Sequence, residues 1–324
     1  MNGETPILCY NSFNSFYQTN GRQLIMEIKK VSIIGLGALG ILFGNQMRGN
    51  MPKEDLRIIA DDQRISRYVH DSVYCNGDRC DFHYVTPDAV CEPADLLIFA
   101  VKSGGLNAAI AAVKNHVGPN TVILSLLNGI SSEAVIGQAY GMDKILYCVA
   151  QGMDAVKVGN QLTYHNAGMI SFGGGVPGVI SDKAKAVAEF FSKVGIRHEI
   201  PADMQKRMWG KFMMNVGVNQ TAAVYGCDYG QVQQEGPARD IMILAMREVL
   251  VISEKEGVNL TAEDMAYWLN ILSTLSPEGK PSMLQMWKGN AAAKRSFSPG
   301  RYYPLGKSME FLRRSIKISM TKYF

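Results

Sequence analysis

Six residues, Gly35-Leu36-Gly37-Ala38-Leu39-Gly40, restrict this chain more than any other segment. They follow the β-branched run Val31-Ser32-Ile33-Ile34 and open a helical pattern. Glycines at this spacing suit a strand–turn–helix unit. The first permits a tight turn, the second lets the backbone approach a pyrophosphate, and the third allows close helix–strand packing. Exposed amides and the helix dipole then hold the anion. The acidic pair Asp61-Asp62 closes the next strand-like run. That context lifts the motif above a plain strand-to-helix turn and predicts that Gly35, Leu36, Gly37, Ala38, Leu39 and Gly40 bind a dinucleotide. Which dinucleotide stays open. An acid beyond the loop usually takes the ribose hydroxyls of NAD, whereas an arginine accommodates the 2′-phosphate of NADP. This chain offers Asp61, Asp62, Arg64 and Arg67.

Leu56 to Ala60, Leu96 to Val101 and Thr121 to Leu126 are apolar enough to be strands buried on both faces. Segments such as Leu106 to His116 between them read as crossover helices. This is the rhythm of a Rossmann-type, doubly wound parallel sheet in an α/β domain over residues 26–200. Gly173 to Gly178 reads as a turn. Beyond Pro201 the texture becomes helical, with runs over Asp203–Tyr225 and Ala238–Glu256 and a third opening at Thr261, where Asp264 completes a capping box. An all-helical C-terminal domain over 201–285 follows from this.

Of the 324 residues, 47% are apolar and 19% charged, which excludes wholesale disorder. No apolar run is long enough for a membrane span, and the first residues lack the pattern of a secretory signal. The six cysteines show no Cys-x-x-Cys pair and the five histidines no metal-ligand spacing. A reduced, cytoplasmic enzyme without a metal site is the expectation. The basic residues form no nucleic-acid module, so neither nucleic acid nor membrane is an expected partner. Met-rich stretches such as Phe212-Met213-Met214 read as adaptable core. A homodimer through the helical domain is compatible with the pattern. Residues 1–25, rich in Asn, Ser, Gln and Tyr, read as a disordered leader, with Met26 the expected natural start.

Met208 to Asn219 is almost wholly apolar except for Lys211, Asn215 and Asn219, each four residues apart. That spacing sets one ammonium and two amides in a row on one helix face. A charge among Trp, Phe and Met needs a partner, because desolvating it alone is costly. The row suits an anionic, hydroxylated ligand. The plainer alternative is a lysine snorkelling at a solvent-facing edge, with asparagines as filler.

These features together resemble the ketopantoate reductase (2-dehydropantoate 2-reductase) family. The resemblance rests on the glycine loop, Val101-Lys102, Leu127-Asn128-Gly129, the Trp209-Gly210-Lys211 helix with Asn215 and Asn219, and Pro281-Ser282-Met283-Leu284-Gln285. It runs from about residue 28 to 285. It implies NADPH-dependent reduction of 2-dehydropantoate to pantoate, on the route to pantothenate and coenzyme A. By the same resemblance, Lys102 and Asn128 line the cofactor and substrate cleft, and Lys211 is the general acid. Asn215 and Asn219 bind the substrate's polar groups, and Ser282 its carboxylate end. A related two-domain dehydrogenase of another keto acid or imine is the alternative enzyme. The family often has an arginine at the end of the second strand, where this chain has Asp61. Arg64 is then the residue for the 2′-phosphate, and NAD stays open.

The resemblance stops after Gln285. The family continues with Asp, a basic stretch, a cleft glutamate and a Tyr-Gly-Ile-Pro-Thr-Pro-Val-Asn-like signature, whereas this chain reads Met286-Trp287-Lys288-Gly289. The single codons of Met and Trp, preceded by G, read Asp-Val-Glu in the neighbouring frame, and Ser308 to Ile316 can encode the family signature in the same shift. Residues 286–324 therefore read as a frameshifted tail, which predicts impaired turnover or a protein that binds NADP(H) without catalysis. The tail holds nine Lys or Arg and one acid, so the net charge of +4 hides a net −4 over residues 1–285. Sequencing the coding DNA across codons 280–324 should show an open alternative frame carrying the family pattern; a stop codon in that frame contradicts the frameshift.

Overall fold

The structure is a computed structural model that describes residues 26–279; the leader over 1–25, Ser282 and the tail over 286–324 lie outside the described residues. The first strand, β1 (Val31–Ile34), leads into helix α1 (Ala38–Arg48), then β2 (Leu56–Ile59) and α2 (Asp62–Asp71). Two short strands, β3 (Tyr74–Cys75) and β4 (Asp78–Arg79), precede β5 (His83–Val85) and β6 (Leu96–Phe99). The crossover to β7 (Val122–Ser125) is α3 (Leu106–Ala112), followed after Val113 by a 3-10 helix at Lys114–His116. Helix α4 (Ser132–Tyr140) then returns the chain to β8 (Ile145–Met153).

In the large sheet these strands lie in the order β5-β2-β1-β6-β7-β8, all parallel. This is the order of a dinucleotide-binding sheet, with the reversal of winding between β1 and β6. The four residues of each of β1, β2, β6 and β7 are buried, because helices cover both faces. On one face Ile33, Ile58 and Ile98 pack with Ile41, Leu42 and Phe43 of α1. On the other, Ile34, Leu97 and Phe99 pack with Leu106 of α3 and Ile136 of α4.

The sheet continues past β8. A hairpin of β9 (Val156–Val158) and β10 (Gln161–Thr163) leads to β11 (Ala167–Gly173), which pairs antiparallel with β8. The Gly-rich turn follows β11, then α5 (Asp182–Lys193) and the edge strand β12 (His198–Glu199), parallel to β11. β3, β4, β9 and β10 form a separate four-stranded sheet. Its β3–β4 turn is Asn76-Gly77, both at positive φ, the expected chemistry of a two-residue hairpin. The Asn76 side chain also exchanges hydrogen bonds with the main chain of Tyr164.

The rest is helical: α6 (Met204–Tyr225), the short α7 (Tyr229–Gln233), α8 (Pro237–Lys255) and α9 (Ala262–Ser273). Asp203 caps α6 by accepting from the Lys206 N–H, and Gly226 ends it in the left-handed conformation. The Thr261/Asp264 capping box starts α9. Trp209, Phe212, Met213 and Val216 of α6 form a core with Met242, Met246 and Val249 of α8 and Trp268 of α9. No helix among the described residues is long and apolar enough to cross a membrane.

Gly210 is where α6 meets α9: a Cβ there would lie 2.0 Å from Nε1 of Trp268, whose ring is buried. Gly210→Ala should therefore lower stability by about 1–3 kcal/mol through forced repacking. Urea unfolding measures it, and an unchanged midpoint contradicts the close contact.

Candidate active site

The cleft begins where β1 ends. Gly35 has φ +101°, and a side chain there would run into the Ala100 carbonyl and Val101. A Cβ at Gly40 would lie 2.0 Å from the Gly35 carbonyl oxygen, so α1 can sit this close to the turn only with glycine at that position. Gly37 is the N-cap of α1, and no side chain caps the helix there. The amides of the first turn are left for an anion, with the positive end of the helix dipole behind them. Leu36, Ala38 and Leu39 complete the loop.

At the end of β2, Asp61 is the N-cap of α2 and accepts from the Arg64 N–H at 2.8 Å. The Arg64 guanidinium also folds back to 3.5 Å from the Asp61 carboxylate, an exposed pair that offsets the acid's charge. Lys102, three residues beyond the end of β6, is exposed. Burial and the neighbouring charges of Arg67 and Lys102 hold the Lys157 ammonium below its ordinary range. No acid pairs with Arg67, Lys102 or Lys157 among the described residues.

Asn128 is exposed on the loop between β7 and α4, beside Gly129 at φ +112°. Ile130, two residues on, packs against Met204 and Met208 of α6 and Val149 of β8. This brings the Asn128 loop to the helix that carries the polar row. In that row Asn215 and Asn219 are partly exposed, and no hydrogen bond fixes either side chain among the described residues. The Lys211 ammonium donates to the Ala150 carbonyl of β8. The side chain is half-buried along its length, but its charged end lies in low-dielectric surroundings. Desolvation lowers the ammonium's pKa to about 8. A lysine near neutrality can both hold and release a proton.

The start of α6 is fixed from two sides. The Arg207 guanidinium pairs with Glu199 of β12 at 3.2 Å and stacks 4.6 Å over the Tyr267 ring of α9. Lys206 reaches Asp264 of α9 at 3.6 Å. Among the described residues no three His, Cys, Asp or Glu side chains are placed to hold a metal ion.

The sequence profile of the family described as Ketopantoate reductase PanE/ApbA matches residues 31–174, and that of Ketopantoate reductase PanE/ApbA C terminal matches residues 203–291. The chain belongs to the ketopantoate reductase family. Membership makes it an oxidoreductase of the ketopantoate reductase type. The 2-dehydropantoate 2-reductase of Streptococcus pyogenes serotype M6 is 23% identical over 259 residues, 79% of this chain and 83% of that protein. A crystal structure of 2-dehydropantoate 2-reductase from Geobacter metallireducens shares the fold with a TM-score of 0.68 at 21% identity, covering 80% of this chain and 87% of that one. The ternary structure of D-mandelate dehydrogenase with NADH and anilino(oxo)acetate also shares the fold. Its TM-score is 0.72 at 18% identity, over 91% of this chain and 98% of that one.

The sequence pattern does not single out Glu133. It lies in the first turn of α4, 1% exposed, accepting a hydrogen bond from Ser132, and burial raises its carboxyl pKa to about 7. An acid in the first turn of a helix is commonplace because it complements the helix dipole. Nothing in the pattern distinguishes a buried one.

Proposed function

We propose that this chain reduces 2-dehydropantoate to pantoate with NADPH. What supports the proposal is the row Lys211, Asn215 and Asn219 on one face of α6, whose Lys211 is bonded to β8 beyond the end of its pairing with β7. In open α/β sheets, ligands occupy the crevice outside those strand ends at the reversal of winding. The glycine loop fits a pyrophosphate: its amides are uncapped, and side chains at Gly35 and Gly40 would collide with the backbone.

A nicotinamide held by the glycine loop's dinucleotide site would supply a hydride to C2 of the keto acid. The protein supplies the proton. Lys211, as the ammonium, gives it to the C2 oxygen, where negative charge develops as the carbonyl becomes an alcohol. The Ala150 carbonyl holds that ammonium in place until then. Asn215 and Asn219, whose side chains have no hydrogen-bond partner among the described residues, bind the substrate's hydroxyl and carboxylate groups. Asn128 and Lys102 line the cleft from the sheet side. The charges favour NADPH over NADH: Arg64 offsets Asp61, while Arg67, Lys102 and Lys157 have no acidic partner among the described residues. Such a cluster is self-repelling until an anion such as a 2′-phosphate enters it. Ser282 and the atypical tail complete the reading from sequence, which assigns the substrate carboxylate to the first and reduced turnover to the second.

Steady-state kinetics on the purified chain should show lower KM for NADPH than for NADH and a preference for ketopantoate over aromatic 2-keto acids. Arg67→Ala should raise the NADPH KM roughly tenfold, a loss typical of one charge-assisted contact, and leave the NADH KM unchanged. Restoring the family frame after Gln285 should raise kcat. Preference for NADH contradicts the cofactor reading. Tight NADPH binding without turnover, even in the restored protein, would leave a binding role in place of the reductase.

A further inference from the structure

Three buried polar side chains lie behind the Asn128 loop. Ser125, the last residue of β7, has its hydroxyl 2.8 Å from that of Ser132, the first residue of α4. The Leu127 N–H also points at the Ser125 hydroxyl, at 3.4 Å. The two serines thus clasp the loop at both ends. The Ser132 hydroxyl donates to the Glu133 carboxyl at 2.9 Å. The same carboxyl accepts from the backbone N–H of Cys148 in β8.

The bond to Cys148 is possible because β8 outruns its neighbour. β7 ends at Ser125, and its pairing with β8 ends at Leu146, whereas β8 continues to Met153. On the other side β11 pairs Phe172 with Cys148 and Ile170 with Ala150. The Ile170 N–H is directed away from β8, to the Arg197 carbonyl of the segment entering β12. The main-chain groups of Cys148 and Ala150 therefore face the open edge. Two bonds occupy that edge, two residues and about 7 Å apart: Glu133 takes the Cys148 N–H, and Lys211 takes the Ala150 carbonyl.

We infer that Glu133 is a positioning residue that ties the Asn128 loop to the β8 edge on which Lys211 is held. This rests on the proposed function, in which Asn128 and Lys211 serve one reaction. Burying a carboxyl here is costly, and an apolar residue would fill the space at lower cost. What the carboxyl adds is a bond to Ser132, which the Ser125 hydroxyl reaches from β7, and a bond across to Cys148 of β8. Without them the loop and the strand edge move independently, and a misplaced proton donor loses rate steeply.

The test compares Glu133→Ala with Glu133→Gln in the full chain, by amide hydrogen exchange, NADPH titration and ketopantoate turnover. Glu133→Ala should speed exchange in both 126–131 and 147–150 and lower kcat by about tenfold or more, while NADPH affinity, to which the Asn128 loop contributes only in part, falls by less. Glu133→Gln should restore both, because its amide oxygen can accept from Cys148 and its amide N–H can donate to Ser132. If the alanine variant does not fold, Ser132→Ala replaces it and should speed exchange in 126–131 while leaving 147–150 unchanged. Unchanged exchange in Glu133→Ala overturns the tether, as does equal loss of turnover in the alanine and glutamine variants. A wild-type chain that neither binds nor reduces ketopantoate refutes the functional reading alone; the exchange pattern then decides the tether by itself.

Discussion

The bond from the Lys211 ammonium to the Ala150 carbonyl joins the two halves of the molecule, and much of the architecture serves to place its two ends. The carbonyl is available because β8 runs past the end of β7 and leaves an edge unpaired. The ammonium is available because α6 carries it in the polar row with Asn215 and Asn219, while its other faces are committed to apolar packing. Taking a charge out of water costs several kcal/mol unless it is compensated. Here the cost appears as a pKa drawn down to about 8, the property that a proton donor working near neutral pH requires.

Each half then supplies what the other lacks. The sheet brings the uncapped helix N-terminus after Gly35, the exposed Lys102 and the Asn128 loop to the carboxyl ends of β1, β6 and β7. Helix α6 brings the polar row. Its position is set by Gly210 against Trp268, by Arg207 between Glu199 and Tyr267, and by Met204 and Met208 against Val149. Most of these fixing contacts surround the start of α6, within two turns of Lys211.

Much of this was legible in the sequence. β1, β2, β6 and β7 announce themselves because strands covered on both faces must be apolar throughout. α6 and α9 carry their own start signals in Asp203 and in the Thr261/Asp264 box. The four-residue period of Lys211, Asn215 and Asn219 survives in any helix that buries its other faces. Other features left weaker traces. The small second sheet is built from strands of two or three residues, too short for a period, although Asn76-Gly77 marks one of its turns. The antiparallel β11 depends on pairing with β8 across a hairpin, a non-local choice. Glu133 looks like any first-turn acid until the fold closes over it.

In the proposed function, Lys211 gives the proton. The direct measurement is the pH dependence of kcat/KM for ketopantoate reduction with NADPH, in the wild-type chain and in Lys211→Ala. A donor with its pKa near 8 is charged below that pH, so the wild-type rate should be level at lower pH and fall about tenfold per unit above it. The variant should be slower by about 10²–10⁴-fold and lack that descent. A wild-type rate that stays level to pH 10, or a variant that keeps both the rate and the descent, would rule Lys211 out as the donor.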